Sequence, residues 1–175
     1  EVYKYRKDGS KRYVQLHEAR VIFPDGNFGI LDVSTDISRA KQAEEALFES
    51  MEKYQILVEK SKDGIIYARD GVITYANPRI LEMLSISQSE FIGHTITKFL
   101  HPKEHSKILS RYKRRLTGES EPTIYETTLL NSNNESIPVE FNVNLTKLQG
   151  DTITIVFIRD ISLRKETEKA IRESE

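Results

Sequence analysis

The clearest hydrophobic pattern in the chain lies between residues 137 and 145, where apolar and polar positions alternate. Ile137, Val139, Phe141, Val143 and Leu145 are apolar, and a polar residue or a proline follows each of them. A period of two predicts a β-strand with one face buried and the other in water. Apolar runs at 123–130 and 152–160, joined to it by polar turns, predict two further strands.

The middle of the chain predicts a hairpin followed by helices. Asp70-Gly71 separates apolar runs at 64–69 and 72–76 and favours a tight turn. Asn77 before Pro78 is typical of a helix start, and apolar residues at helical spacing predict a long helix from Pro102 to about Thr117. Together the five strands form an antiparallel sheet with short helices and the long helix on one face, an α+β fold.

The first part of the chain predicts less buried structure. Residues 2–7, 11–23 and 27–37 have the pattern of three strands joined by Asp-Gly turns. Three such strands do not bury enough surface to be stable alone. Residues 38–60 follow as a helix whose apolar positions recur in steps of three and four. This stripe fits either a seam with a partner helix or a linker that packs on its own domain.

A short motif recurs at two places where an apolar run becomes a charged helical pattern. Asp36-Ile37-Ser38 and Asp160-Ile161-Ser162 lie 124 residues apart, which indicates an internal repeat. Each aspartate is placed to cap the helix that follows. We expect Asp160 to pair with Arg164 or Lys165, and Asp36 to pair with Arg39 or Lys41, so that each sheet is tied to its helix.

Composition narrows the possible functions. The 175 residues include 26 basic and 27 acidic side chains, for a formal net charge of −1, so no overall field favours nucleic acid or a membrane surface. Cysteine is absent, which excludes disulfides, thiolate metal sites and cysteine nucleophiles. No apolar run has the length of a membrane span. We expect a cytoplasmic fragment, with any membrane anchor of the intact protein outside it.

No group of residues in the sequence has the spacing of a catalytic or metal site. Ser61, Ser85 and Ser110 lack a nucleophile elbow with a matching histidine and aspartate. The four histidines do not have zinc-ligand spacing, and the nucleotide-binding motifs of a kinase are missing. We therefore expect no catalysis, no metal and no required cofactor in this piece.

Several short motifs, in this order, resemble those of the PAS family of sensor domains. They are the entry at Glu52 to Gly64, V-I-T-Y-A-N-P at Val72 to Pro78, F-I-G-H at Phe91 to His94, His101-Pro102, and the strand-to-helix passage through Asp160. The resemblance implies a complete PAS domain at 61–162. It also implies the end of a preceding PAS domain at 1–37, a helical linker at 38–60 and the start of a signalling helix at 163–175.

The resemblance also implies a function in two-component signal transduction, for instance in a sensor histidine kinase. A small ligand or a partner would bind the domain, and the change would pass to the flanking helices. The residues of this signal junction are Asp36, Ser38, Asp160, Ser162, Arg164 and Lys165. The alternative is a ligand-free interaction module. In either case we expect a homodimer formed through the linker helices.

The family's ligand pocket lies between the sheet and the long helix. In this chain the resemblance assigns its lining to Tyr67, Ile80, Leu84, Ile108, Tyr112, Tyr125, Phe141 and Phe157. Such residues equally suit a filled hydrophobic core that holds no ligand.

One further alternative concerns His105 on the long helix. The segment around it resembles the helix of haem-binding PAS oxygen sensors, which implies His105 as the iron ligand and Arg111 as the partner of a haem propionate. A neutral imidazole binds iron, and a guanidinium pairs with a carboxylate. A surface histidine without a ligand is the simpler interpretation.

Overall fold

The computed structural model describes residues 2–5 and 7–174, apart from the side chains of Leu148 and Ser174. It divides the chain into two compact units, up to Gln55 and from Ile56 onward. Its strands are β1 (Val2–Tyr5), β2 (Lys11–Ile22), β3 (Phe28–Asp36), β4 (Gly64–Arg69), β5 (Val72–Ala76), β6 (Ile124–Leu130), β7 (Ser136–Leu148) and β8 (Asp151–Asp160).

The helices are α1 (Ser38–Glu59), α2 (Pro78–Leu84), α3 (Gln88–Phe91), α4 (His105–Leu116) and α5 (Ser162–Ser174). Short 3₁₀ helices at Ile96–Phe99 and Pro102–Glu104 precede α4. The long helix predicted from Pro102 is thus a 3₁₀ turn followed by α4. Across the described residues, none of these helices combines the length and the apolarity that a membrane crossing needs.

The first unit contains an antiparallel sheet of three strands in the order β1-β2-β3. Residue 6, which the sequence placed in the first strand, lies outside the described residues. Among the described residues of β1–β3, Val14 is the one buried apolar side chain. These strands therefore contribute little core of their own, as the sequence predicts.

The second unit contains an antiparallel sheet of five strands in the order β5-β4-β8-β7-β6. This confirms the predicted sheet. The last strand in sequence, β8, is the central strand, because it pairs with β4 on one side and with β7 on the other. The backbone that leads into α5 is therefore held in the middle of the sheet.

The alternation predicted for residues 137–145 sets the face of β7 that points into the core. Val139, Phe141 and Val143 are buried, and they join Ile66 of β4 and Ile158 of β8 in one hydrophobic cluster with side chains of the helices. The helices α2, α3 and α4 and the 3₁₀ helix at Ile96–Phe99 each contribute buried residues to this cluster. The structure thus confirms an α+β fold with helices covering one face of the sheet.

Two glycines are required by local geometry. Asp70 and Gly71 both have positive φ, at 50° and 84°, as the predicted tight hairpin between β4 and β5 requires. Gly64 begins β4 under α2, where an added Cβ would lie 3.0 Å from the Cβ of Ile80. A larger residue would force Ile80 to shift, so glycine suits this close approach of helix and strand.

Asn77 ties three segments together at the start of the second unit. Its side chain is fully buried at 0% exposure. Asn77 Oδ1 accepts hydrogen bonds from the Ile65 amide at 2.8 Å and from the Ile80 amide at 3.4 Å, which confirms the predicted cap of α2. Asn77 Nδ2 donates to the carbonyls of Val58 at 3.0 Å and Asp63 at 3.1 Å. The end of α1, the start of β4 and the start of α2 therefore share one side chain.

Replacing Asn77 by alanine should lower the free energy of unfolding by about 2–4 kcal/mol, because a buried polar group left unpaired costs about 1–3 kcal/mol. Urea denaturation followed by circular dichroism measures the change. Asn133→Ala, at an exposed turn position, is the matched control and should change stability by less than about 0.5 kcal/mol. Equal losses in the two variants would contradict this role of Asn77.

Candidate functional site

A cavity of about 220 Å³ lies between the inner face of the sheet and α4. Its inner wall is apolar and comes from strands and helix alike. The wall residues are Ile66 and Ala68 of β4, Ile73 of β5, Ile108 and Leu109 of α4, Tyr125 of β6, Phe141 and Val143 of β7, and Val156 of β8. The alternation of the strands explains this lining, because every second residue of β4, β7 and β8 points to the same side.

Thr154 is the polar exception on this wall. It lies on β8, paired with Ala68 and with Leu145, and only 6% of its surface is exposed. The structure shows no hydrogen-bond partner for Thr154 Oγ1 among the residues it describes. A buried hydroxyl without a partner is uncommon, so Thr154 Oγ1 is an unusual polar feature of this apolar wall.

Charged groups surround the outer part of the cavity. Arg111 lies over the ring of Tyr125, with the guanidinium carbon 4.2 Å from the ring centroid. Arg111 Nε is 3.8 Å from Glu121 Oε2, and Arg114 Nη2 is 2.5 Å from Glu121 Oε1. Burial raises the pKa of Tyr125, although the hydrogen bond and charge of Arg115 act the other way. These contacts hold β6 and α4 together beside the cavity.

Tyr112 closes another part of the rim. Its hydroxyl oxygen lies 3.5 Å from where a Cβ on Gly71 would be, so the ring covers the turn between β4 and β5. Burial, with the nearby charge of Asp70, raises the pKa of Tyr112. Both effects favour the neutral phenol.

The structure brings together four of the eight predicted pocket residues. Ile108, Tyr112, Tyr125 and Phe141 line the cavity. Ile80 and Leu84 are fully buried in the core but do not line it.

The placement of Tyr67 and Phe157 needs correction. Their neighbours Ile66, Ala68, Val156 and Ile158 are the buried ones, so Tyr67 and Phe157 point to the other face of the sheet. The sequence also missed Thr154 and Ala68. The apolar runs of β4 and β8 do not show from sequence which of their faces is buried, so no local signal marked these two residues.

The structure places His105 and Arg111 in contact with other protein groups. Neither residue lines the cavity. His105 Nε2, 3.1 Å from the carbonyl oxygen of Leu100, is engaged with the backbone, and Arg111 is engaged with Glu121 and Tyr125. Within the described residues, no cluster of three or more histidine, aspartate or glutamate side chains is arranged to hold a metal ion.

The two predicted junctions have the same backbone geometry. The Ser38 amide donates to Asp36 Oδ1 at 3.0 Å, and the Ser162 amide donates to Asp160 Oδ1 at 2.9 Å. Ile37 N donates to the Tyr13 carbonyl, and Ile161 N donates to the Pro138 carbonyl, both at 3.0 Å. These two hydrogen bonds thus recur where each helix leaves its sheet, as the repeat in the sequence predicts.

The ion pairs at the second junction differ from the prediction. Arg164 Nη2 and Lys165 Nζ each lie 2.6 Å from a carboxylate oxygen of Glu126, and Arg164 Nη1 lies 3.6 Å from Glu140 Oε2. The basic residues of α5 thus reach across to β6 and β7, whereas Asp160 accepts the Ser162 amide. At the first junction, Asp36 Oδ2 lies 3.0 Å from Arg12 Nε.

Comparisons with known proteins agree with this architecture. Residues 52–161 match the family model of the PAS fold. Over 171 residues the chain is 27% identical to sporulation kinase A of Bacillus subtilis (strain 168), covering 97% of this chain and 28% of that protein. Sporulation kinase E of the same organism is 28% identical over 147 residues, which is 83% of this chain and 19% of that protein. The chain thus spans less than a third of these relatives.

Among solved structures, the PAS domain of an HTR-like protein from Haloarcula marismortui aligns with a TM-score of 0.59 and 26% identity, covering 69% of this chain and 99% of that one. The chain belongs to the PAS family. It is a PAS sensory module, homologous to the PAS regions of sensor histidine kinases.

Acid should loosen α5 from the sheet. Lys165, through its hydrogen bond and charge, and Arg164 lower the pKa of Glu126. A lowered pKa means that the attachment is complete above the ordinary glutamate range and is lost as pH falls through the lowered value. We expect the helical Cα chemical shifts of α5 to move toward coil values between about pH 5 and pH 3.

The matched pair for this titration is Glu126→Gln and Glu166→Gln. Glu126→Gln should weaken the attachment already at neutral pH and remove the acid step. Glu166 lies exposed on α5, so its replacement should leave the acid step in place. An acid step of unchanged size in Glu126→Gln would assign it to another group.

Proposed function

We propose that this PAS module senses a small ligand or a partner at the cavity and relays the change through β8 to α5. The observation that carries the proposal is the course of β8. Thr154 and Val156 of this strand form part of the cavity wall, and the same strand continues through Asp160 and Ile161 into α5. A displacement of these wall residues therefore occurs only a few residues along the chain from the start of α5.

The junction has contacts that a small shift of β8 would alter. Ile161 is buried, and its amide donates to Pro138 at 3.0 Å. Arg164 and Lys165 pair with Glu126 on β6, and Arg164 also with Glu140 on β7, so sliding of β8 against β7 changes these distances. A ligand transmits a signal only if it binds the two arrangements with different affinity.

The relatives support a proposal for the output of the intact protein. Because the matched relatives are kinases, we propose that α5 leads toward a histidine kinase output. The module itself performs no reaction in this proposal.

The first unit supports a tandem arrangement. In β2 and β3, Val14 pairs with Asp36, as Val139 pairs with Asp160 in β7 and β8. We propose that β1–β3 are the final strands of a second PAS-like sheet, with α1 as the helix that links it to the complete module.

A second candidate function is an interaction module that dimerises through α1. Large apolar side chains of this helix are exposed, among them Leu47, Met51, Tyr54 and Leu57. They recur at steps of three and four, the spacing of a helix that packs along a partner helix. The two functions are compatible, because a dimeric α1 can accompany a ligand-sensing cavity.

The relay is tested by filling the cavity from within. Ala68→Leu adds methyl groups on the cavity wall, where the available volume is about 220 Å³, and should act like a bound ligand. We expect hydrogen exchange of the α5 amides, followed by mass spectrometry, to change in this variant. The change should disappear in the double variant Ala68→Leu with Asp160→Ala, because the cap that links strand to helix is lost.

Asp160→Ala alone is the control and should cost about 0.5–2 kcal/mol of stability, as loss of a helix cap does. Identical α5 exchange in the wild type and in Ala68→Leu would refute the relay. Mass spectrometry of an extract of the purified chain would show directly whether a small molecule accompanies it.

The dimer is tested by placing a charge in the apolar stripe of α1. Leu47→Glu with Met51→Glu should convert a dimer into a monomer in sedimentation equilibrium, because two carboxylates would have to be buried in the helix pair. Gln42→Glu, also on an exposed α1 position, is the control and should leave the mass unchanged. A wild-type chain that is monomeric at every concentration would rule out this interface.

A further inference from the structure

We infer that the cavity takes an uncharged, largely apolar molecule slightly larger than benzene, with one hydrogen-bond acceptor that binds Thr154 Oγ1. The inference rests on the proposed sensing function and specifies the class of ligand. It is carried by three observations: the volume of the cavity, the charge of its surroundings and the unpartnered threonine on its wall.

Volume sets the size of the ligand. The cavity measures about 220 Å³, whereas an apolar protein cavity of roughly 150 Å³ holds benzene. One substituent on a six-membered ring therefore fits, and a flat cofactor with several fused rings does not.

The walls exclude charge from the interior. Ile66, Ile73, Ile108, Val143 and Val156 are all buried aliphatic residues. An ion transferred among such side chains loses its hydration without gaining a partner.

The charged residues at the rim do not change this conclusion. Asp70 and Arg115 border the cavity with opposite charges. Asp70 Oδ1 accepts a hydrogen bond from the Thr152 amide at 2.9 Å, and Arg115 donates to the carbonyl of Pro122. Both groups thus have protein partners, and together they favour neither an anion nor a cation.

Thr154 supplies the polar contact. Its hydroxyl has one hydrogen to donate and finds no acceptor among the described residues. The other hydroxyl groups of threonine that border the cavity, on Thr95 and Thr97, lie 2.7 Å apart and bind each other. The phenol groups of Tyr112 and Tyr125 also border the cavity, and that of Tyr125 is hydrogen-bonded to Arg115. The buried hydroxyl that remains without a partner among the described residues is therefore that of Thr154 on β8.

The small number of unpartnered polar groups on the wall favours an organic ligand over a single water molecule. A buried water is held by two to four polar partners, and the buried part of the inner wall offers one hydroxyl without a partner among the described residues, that of Thr154. A ketone, an aldehyde or an ether would accept the one hydrogen bond with its oxygen and fill the remaining space with apolar groups. Because Thr154 stands on β8, such a ligand would act on the strand that leads to α5.

Three probes of equal heavy-atom count separate these features. Acetophenone is uncharged and has one acceptor, cumene is uncharged and has none, and benzoate is charged. Each is titrated into the 175-residue chain, and its Kd is measured from amide chemical shifts in wild type, Thr154→Val and Thr154→Ser. Shifts should cluster at Ala68, Ile108 and Val156, and they should vanish in Ala68→Leu.

The measured quantity is the ratio of acetophenone affinity to cumene affinity. We expect this ratio to fall roughly threefold to tenfold in Thr154→Val, which is the effect of one neutral hydrogen bond, and to be kept in Thr154→Ser. Cumene affinity itself should hardly change, because valine has nearly the shape of threonine. Thr154→Val should melt at or above the wild-type temperature, since it removes a buried hydroxyl without a partner.

Three results would overturn the inference. They are a ratio that does not depend on residue 154, tighter binding of benzoate than of acetophenone, and no binding of any probe. None of them decides the relay, which is tested separately by α5 exchange in Ala68→Leu. Conversely, unchanged α5 exchange in Ala68→Leu together with an affinity ratio that depends on Thr154 would show a binding cavity that is not coupled to the helix.

Discussion

The second unit depends on the antiparallel pairing of β8 with both β4 and β7. This strand comes last in the sheet's sequence order but lies at its centre, so the hairpin β4–β5 and the strands β6–β7 are joined only when β8 is in place. Its pairing with β7 runs from Val139 opposite Asp160 to Leu148 opposite Asp151. The fold, the cavity wall and the anchoring of α5 thus rest on the same backbone hydrogen bonds.

Much of this fold could be predicted because its signals are local. The turn at Asp70-Gly71 needs two residues with positive φ, and the cap at Asn77 needs one side chain next to a proline. The alternation in β7 needs only its own residues. The pocket was harder to predict, because the run from Ile153 to Ile158 is almost entirely apolar and does not reveal its face. The register of β8 determines which of its faces is buried, and this register is fixed by pairing with distant strands.

The ion pairs of α5 also could not be predicted from local sequence. Asp160 is four residues from Arg164 and was the obvious partner by sequence. The folded sheet brings Glu126 to 2.6 Å from both Arg164 and Lys165, although 38 residues separate Glu126 from Arg164. No local pattern marks Glu126 as the partner, because the contact exists only once β6 and β8 flank β7. Asp160 keeps the role that its position alone predicts, as acceptor of the Ser162 amide.

The two junctions share backbone hydrogen bonds, but the strands that lead to them carry different side chains. Counting equally from each aspartate, the pair Val143–Val156 on the cavity wall corresponds to Glu18–Asp32 in the first unit. Two facing carboxylates would repel each other in an apolar cavity. The ligand class inferred from Thr154 and its aliphatic neighbours therefore belongs to the second unit alone. The repeated motif gives both units the same helix exit from the sheet. The side chains on the facing strands determine what each sheet can bind.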